Sequence, residues 1–179
     1  MMPSRRTWLA SAVIVAAGMA TAACADTTAT ATHHPATDCK LERGAHLALT
    51  HSYRLVLRIG PVEGMLMPYQ VRANHVKHGE VMLGGQMVVP THGPLHHLEV
   101  HICAKKTHVV VAKANPTIVL TDTTKQIPPK TIPVAVMEGI SAGRADLHYG
   151  NNVSMPHHDR YTITVTLEGQ RAVFHVVAP

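Results

Sequence analysis

From residue 53 onward, apolar and polar positions alternate in short runs. The clearest is 161–167, Tyr-Thr-Ile-Thr-Val-Thr-Leu, where apolar residues and threonines trade places at period two. Successive strand side chains point to opposite faces, so this run reads as a strand with one face on a core and one on water. Similar runs rich in Val, Ile, Leu and Thr occupy 53–59, 80–89, 95–103, 107–113, 117–121, 131–137 and 171–177. Gly60-Pro61, Gly93-Pro94, Asn115-Pro116, Pro128-Pro129 and Glu168-Gly169-Gln170 separate them with turn signals. No window holds a helical period. The pattern predicts an all-β fold over residues 51–179, an immunoglobulin-like antiparallel β-sandwich, with a closed barrel as the alternative.

The chain before residue 51 reads differently. Residues 1–25 carry Arg5 and Arg6, an apolar run from Trp8 to Met19, and small residues ending in Ala23-Cys24-Ala25. That is the three-part pattern of a secretory signal peptide cleaved before Asp26. Ser4-Arg5-Arg6-Thr7-Trp8-Leu9 also resembles the twin-arginine export motif, which carries folded chains. Lipid anchoring at Cys24 is the rival processing. The apolar run is too short and Ala-rich to span a membrane, so the exported part has no transmembrane span and is expected in the bacterial periplasm. Residues 26–50, rich in Thr, Ala and His, read as a flexible lead-in.

Composition then shifts attention to histidine. The 179 residues include 15 His but only one Trp and one Phe. An apolar fraction of 46% and a charged fraction of 15% fit one globular domain with an aliphatic core. The formal charge of +5 does not mark a nucleic-acid binder, because Lys and Arg are scattered and aromatics for stacking are scarce. Loss of residues 1–25 removes Arg5 and Arg6 and keeps every histidine. Cys39 and Cys103 also stay, and in an oxidising compartment they are expected to pair, the rival being a thiolate ligand at Cys103.

Three segments carry candidate chemistry. Read as a strand, 95–103 sends His97, Glu99, His101 and Cys103 to one face and His96, Leu98, Val100 and Ile102 to the other. A second cluster, 146–159, places Asp146, His148, Met155, His157, His158 and Asp159 in what reads as a loop before the Tyr161 strand. The third, Met65-Leu66-Met67-Pro68, sets two thioethers beside a proline. Imidazole binds copper, zinc and iron, thioether favours copper(I), and carboxylate favours ferrous iron or copper(II). Met82 and Met87, inside a strand pattern, read as core. Motifs for a Cys-rich zinc site, a zinc-protease helix, a serine hydrolase or a nucleotide fold are missing, so no enzyme is expected.

His97-Leu98-Glu99, a later strand ending in Met137, His148-Tyr149-Gly150-Asn151-Asn152 and the Tyr161 strand together resemble a known family. Its members are the periplasmic proteins that accompany bacterial high-affinity ferrous-iron permeases and bind copper and iron. The resemblance runs from about Tyr53 to Val177. It implies an immunoglobulin-like sandwich, commonly a homodimer, with an inner-membrane iron permease as partner. It also implies a metal site of His97, Glu99, Met137 and His148; His101, Met65, Met67, Met155 and His157 are further candidate ligands. Here the segment from Met137 to His148 is longer than in the family, Cys103 stands where the family has a histidine, and the loop before the last strand is shorter.

The expected function is therefore an exported protein that binds ferrous iron or copper, with zinc as a third candidate, and takes part in metal uptake. The alternatives are copper buffering or resistance, and a non-enzymatic envelope interaction or adhesion module with a histidine-rich surface. A redox enzyme using bound copper is a weaker idea. Metal-binding imidazoles must be neutral, so affinity is expected to fall as pH drops through the histidine range.

Overall fold

The structure, a computed structural model, describes residues 39–88 and 92–179. The expected signal peptide and Cys24 lie outside the described residues. Eleven strands and a single short helix occur among those described. They run β1 (His46–Leu49), β2 (Tyr53–Pro61), β3 (Met65–Leu66), α1 (Pro68–Asn74), β4 (Glu80–Gly85) and β5 (Leu95–Ala104). There follow β6 (Thr117–Asp122), β7 (Lys130–Ile132), β8 (Ala135–Gly139), β9 (Gly143–Ser154), β10 (Arg160–Leu167) and β11 (Gln170–Val177).

Two sheets form the expected all-β sandwich. The larger has the order β1-β2-β5-β9-β8-β4-β3 and the smaller β11-β10-β6-β7. Every pairing is antiparallel except the short one between β3 and β4. The alternating residues of β10 behave as their pattern predicts: Tyr161, Ile163, Val165 and Leu167 are buried, while the threonines between them are only partly covered. They meet Leu55, Leu57, Leu98, Val100, Ile102, Leu147 and Tyr149 of the larger sheet in one aliphatic core. Burying each such side chain contributes roughly 1.5–3 kcal/mol, which makes this layer the main source of cohesion.

Several elements depart from the sequence pattern for identifiable reasons. The run 131–137 is two strands, because Pro133 cannot donate to a sheet ladder; β7 joins the small sheet and β8 the large one. Residues 107–113 make a single bridge, Cys103 to Val110, after a turn in which His108 adopts φ 58°. Residues 39–50, read as part of a flexible lead-in, carry β1 and a disulfide from Cys39 to Cys103. In the chain-entropy model, closing a loop across a separation of 64 residues contributes about 4 kcal/mol.

The largest departure is β9, which replaces the expected loop with a twelve-residue strand. Gly150, Asn151 and Asn152 are poor strand formers, yet each has a structural role here. A Cβ on Gly150 would lie 1.7 Å from the carbonyl oxygen of Leu98 on β5, so only glycine allows the two backbones to close. The buried Asn151 amide donates to the carbonyls of Gln86 and Pro133 and accepts from the Val88 N–H, tying together the loops at one end of the sandwich. Asn152 serves the other face, described below.

The prediction is severe loss of stability in Gly150→Ala, by about 3 kcal/mol or more, since β5 and β9 must separate to admit the methyl group. Urea denaturation checks it; a midpoint within error of wild type would contradict the packing described.

Candidate metal centre

β5 has two covered faces. Leu98, Val100 and Ile102 point into the sandwich core, while His97, His101 and Cys103 are buried on the far side of the large sheet. The disulfide holds residues 39–45 against that far side, where Glu42 pairs with Arg58 at 3.1 Å. Near its other end, the backbone of Glu63 meets the Asn152 side chain. The alternation expected for β5 is observed, but its polar face is enclosed.

β9 lies beside β5 and brings His148 to the same enclosed face. The rings of His97 and His148 are perpendicular, with centroids 5.6 Å apart, and their Nε2 atoms are separated by 3.4 Å. Partners on the other ring nitrogens fix what those Nε2 atoms are. His148 Nδ1 lies 2.7 Å from the carbonyl oxygen of Asp146, so it must donate. His97 Nδ1 lies 2.8 Å from Asn152 Oδ1. The Asn152 amide is itself oriented, donating through Nδ2 to the Glu63 carbonyl and accepting the Glu63 N–H at Oδ1. Both neutral rings therefore carry their proton on Nδ1 and turn an Nε2 lone pair toward the other.

The Glu80 carboxylate, from β4, completes the convergence. Its Oε2 sits 3.5 Å from His148 Nε2, is buried and has no hydrogen-bond partner. One ligand atom from each of Glu80, His97 and His148 lies within 4.8 Å of the others. Donors bound at about 2.0–2.1 Å to a tetrahedral ion are spaced roughly 3.4 Å apart, close to the 3.4 Å between the two Nε2 atoms and the 3.5 Å from His148 Nε2 to Glu80 Oε2. β8 lies between β4 and β9, and Glu80 pairs with Gly139, whose missing side chain leaves room for Asp146.

A second donor set shares His148: Glu99, His101 and Asp146. Its charges already have partners. Arg58 Nη1 lies 3.6 Å from Glu99 and 3.5 Å from Asp146, and His101 Nε2 lies 3.1 Å from Glu99. A cavity of about 220 Å³, lined by Glu42, Arg58 and Glu99 among others, opens onto this set from the surface.

Electrostatics separate the groups further. Burial, reinforced by Asp146, Glu99 and Glu63, pushes the Glu80 carboxyl up to about 8. Glu99 goes the other way: burial opposes its ionisation, but the hydrogen bond from His101 and the surrounding imidazoles hold it at about 2. Burial lowers His148 to about 4, against the pull of Glu99.

The other candidates fall into place around this centre or leave it. Met137 is fully buried and stands directly across from His148, because the longer segment between them is absorbed by the β8–β9 hairpin and its bulge. Met65, with Met82 and Met87, packs against Met137. Met67 instead precedes α1, where its N–H donates to Gln70. Met155 belongs to the sandwich core and is removed from the site. His157 packs against His96, on the other side of β5. Glu80 and Arg58 were not foreseen, since strand order alone brings them to His97 and His148; Asp146 and Asn152 lie in segments the sequence singles out, but their parts beside His148 and His97 come from the β5–β9 pairing.

No protein-family model matches the chain, and no curated protein matches it. A crystal structure of a DUF4426 family protein from Pseudomonas aeruginosa PAO1 is similar over 78% of this chain and 98% of that one, with 14% identity and a TM-score of 0.44. A likeness of that degree assigns neither family nor function.

Glu80 generates a pH prediction for the metal-free protein. The unfolded chain loses this proton near pH 4.5, whereas the folded protein keeps it up to about 8, so stability contributed by the neutral carboxyl falls across that window. Glu80→Gln is expected to stabilise the chelator-treated protein at pH 8 by roughly 1–3 kcal/mol and to change it little at pH 4.5. Denaturation curves at the two pH values measure the difference.

Proposed function

We propose that the protein binds one divalent transition-metal ion through His97, His148 and Glu80. The observation that carries this reading is the pair of inward-facing imidazole lone pairs, 3.4 Å apart, beside an unpartnered buried carboxylate oxygen. Such an arrangement is unfavourable when empty of any cation, because two imidazole lone pairs face each other out of water and the carboxyl beside them stays neutral only by keeping its proton. An ion at their centre satisfies all three and displaces the Glu80 proton. Asn152 and the Asp146 carbonyl act behind the ligands, holding each ring in its binding tautomer. Met137, across from His148, supplies a soft neighbour.

This differs from the ligand set implied by the resemblance in two respects: Glu80 takes the place of Glu99, and Met137 is a neighbour of the ion and not one of its three ligands. Glu99 is engaged by Arg58 and His101, so in this proposal it balances charge at the entrance while Glu80 coordinates. Two imidazoles with a carboxylate suit ferrous iron, copper(II) or zinc. With the export pattern of residues 1–25 and the Cys39–Cys103 disulfide, the proposal extends to a periplasmic carrier that delivers ferrous iron or copper to an inner-membrane permease. A second reading, copper buffering, is favoured by the four methionines, Met65, Met82, Met87 and Met137, gathered at one edge of the centre.

Titration of the chelator-treated protein with Zn²⁺, Cu²⁺ and Mn²⁺ as a ferrous surrogate tests the site. His97→Ala and His148→Ala are expected to lose most of the affinity. Asn152→Ala, which removes only the orienting hydrogen bond, is expected to lose about 10–100-fold. Unchanged affinity in both histidine variants would reject the site, and a preference for Cu⁺ over all divalent ions would favour buffering.

A further inference from the structure

Two of the remaining histidines, one buried and one exposed, meet on the other face of β5. His96 is on β5 next to His97 but on the opposite face, and the residue is only 5% exposed. Its Nε2 is buried and has no hydrogen-bond partner. Facing it is His157, from the turn between β9 and β10, with ring centroids 5.3 Å apart and planes at 86°. His157 Nδ1 donates to the Pro179 oxygen, so in the neutral ring Nε2 is again the lone pair.

Both rings are held by backbone. His96 pairs with Pro61 on one side and Val153 on the other. The turn carrying His157 is closed by the Asp159 N–H to Pro156, and reciprocal bonds between 158–159 and Ala178 fasten it to the last strand. An ion about 2.0–2.1 Å from each of two imidazole nitrogens holds the ring centroids roughly 5–5.5 Å apart. The observed separation falls within that range.

We infer that His96 and His157 form a second transition-metal site, chemically distinct from the centre on the other face of β5. Its donors are imidazoles and, among the described residues, no acidic side chain lines the groove beside them, so it takes borderline ions such as Cu²⁺, Zn²⁺ or Ni²⁺ ahead of ferrous iron. The pair opens onto an apolar groove of about 450 Å³ that includes Ile59, Pro61, Val62 and Leu95. The remaining coordination positions face that groove and are filled by water or by an incoming ligand, which makes the ion exchangeable. His96 thereby gains the partner that the protein itself does not provide.

The test uses the full exported chain without an affinity tag, treated with chelator, on a His148→Ala background that disables the inner centre. One equivalent of Cu²⁺ is the probe, read by pulsed EPR and by competition titration. Two coupled imidazoles are expected, falling to one or none in His148→Ala/His157→Ala, with affinity lower by roughly tenfold or more. His157 is exposed, so its substitution leaves the fold intact; His96→Gln, checked for native circular dichroism, is the second arm. A copper signal and affinity unaffected by His157→Ala would overturn the inference. Wild-type protein read the same way separates the two sites: loss of the inner centre alone shows in the His97 and His148 variants and leaves the His157-dependent signal in place.

Discussion

The close approach of β9 to β5 at Gly150 fixes where two imidazoles meet, and the chemistry of the enclosed face follows from it. His97 belongs to one strand and His148 to the other, so their separation is inherited from backbone pairing and not from flexible side chains. The same pairing places Asn152 opposite His97, within reach of Nδ1. The Asp146 carbonyl, two residues before His148, performs the same service for the second ring. Two hydrogen bonds made away from the centre thus decide which nitrogens face it. Ligand geometry held by rigid strands and by such outer partners is what metal binding requires of a protein.

Charge is distributed unevenly over this face. Arg58 sits among Glu42, Glu99 and Asp146, so three carboxylates share one guanidinium. Glu80 feels the charges of Glu99 and Asp146 but has no ion pair with Arg58, and its Oε2 is left without a hydrogen bond. Within the first group Glu99 is held ionised by His101 and the imidazoles around it; Glu80 retains its proton because ionisation in the buried site costs more than the neighbours return. An arriving cation reverses that balance at Glu80 and has less to offer at Glu99. The disulfide contributes by holding the segment that carries Glu42 over the entrance.

Period-two alternation made β10, β11 and the two faces of β5 legible, because it records side-chain direction directly. It could not tell that both faces of β5 are covered, since that depends on Cys39 and Glu63 crossing from elsewhere. β9 was hidden by its own function: Gly150 and the two asparagines look like a turn, yet the glycine admits the neighbouring backbone and the asparagines satisfy loops and a ligand. Pro133, by contrast, was a legible signal whose consequence, a strand divided between two sheets, needed the tertiary context. His97 and His148 were picked out by company and resemblance, and Met137 by resemblance alone. Glu80 was invisible because its partner arrives from a strand far along the chain. Met155 and His157 looked like ligands of the same centre only while their segment was read as a loop.

The central claim is that His97 and His148 point two unprotonated Nε2 atoms at a common ion. Nitrogen-15 NMR of the imidazole rings measures this directly. In metal-free protein near pH 7 both rings should show the Nδ1–H tautomer, and one equivalent of Zn²⁺ should shift both Nε2 resonances together. An Nε2–H tautomer in either ring, or Nε2 resonances indifferent to Zn²⁺, would contradict the account.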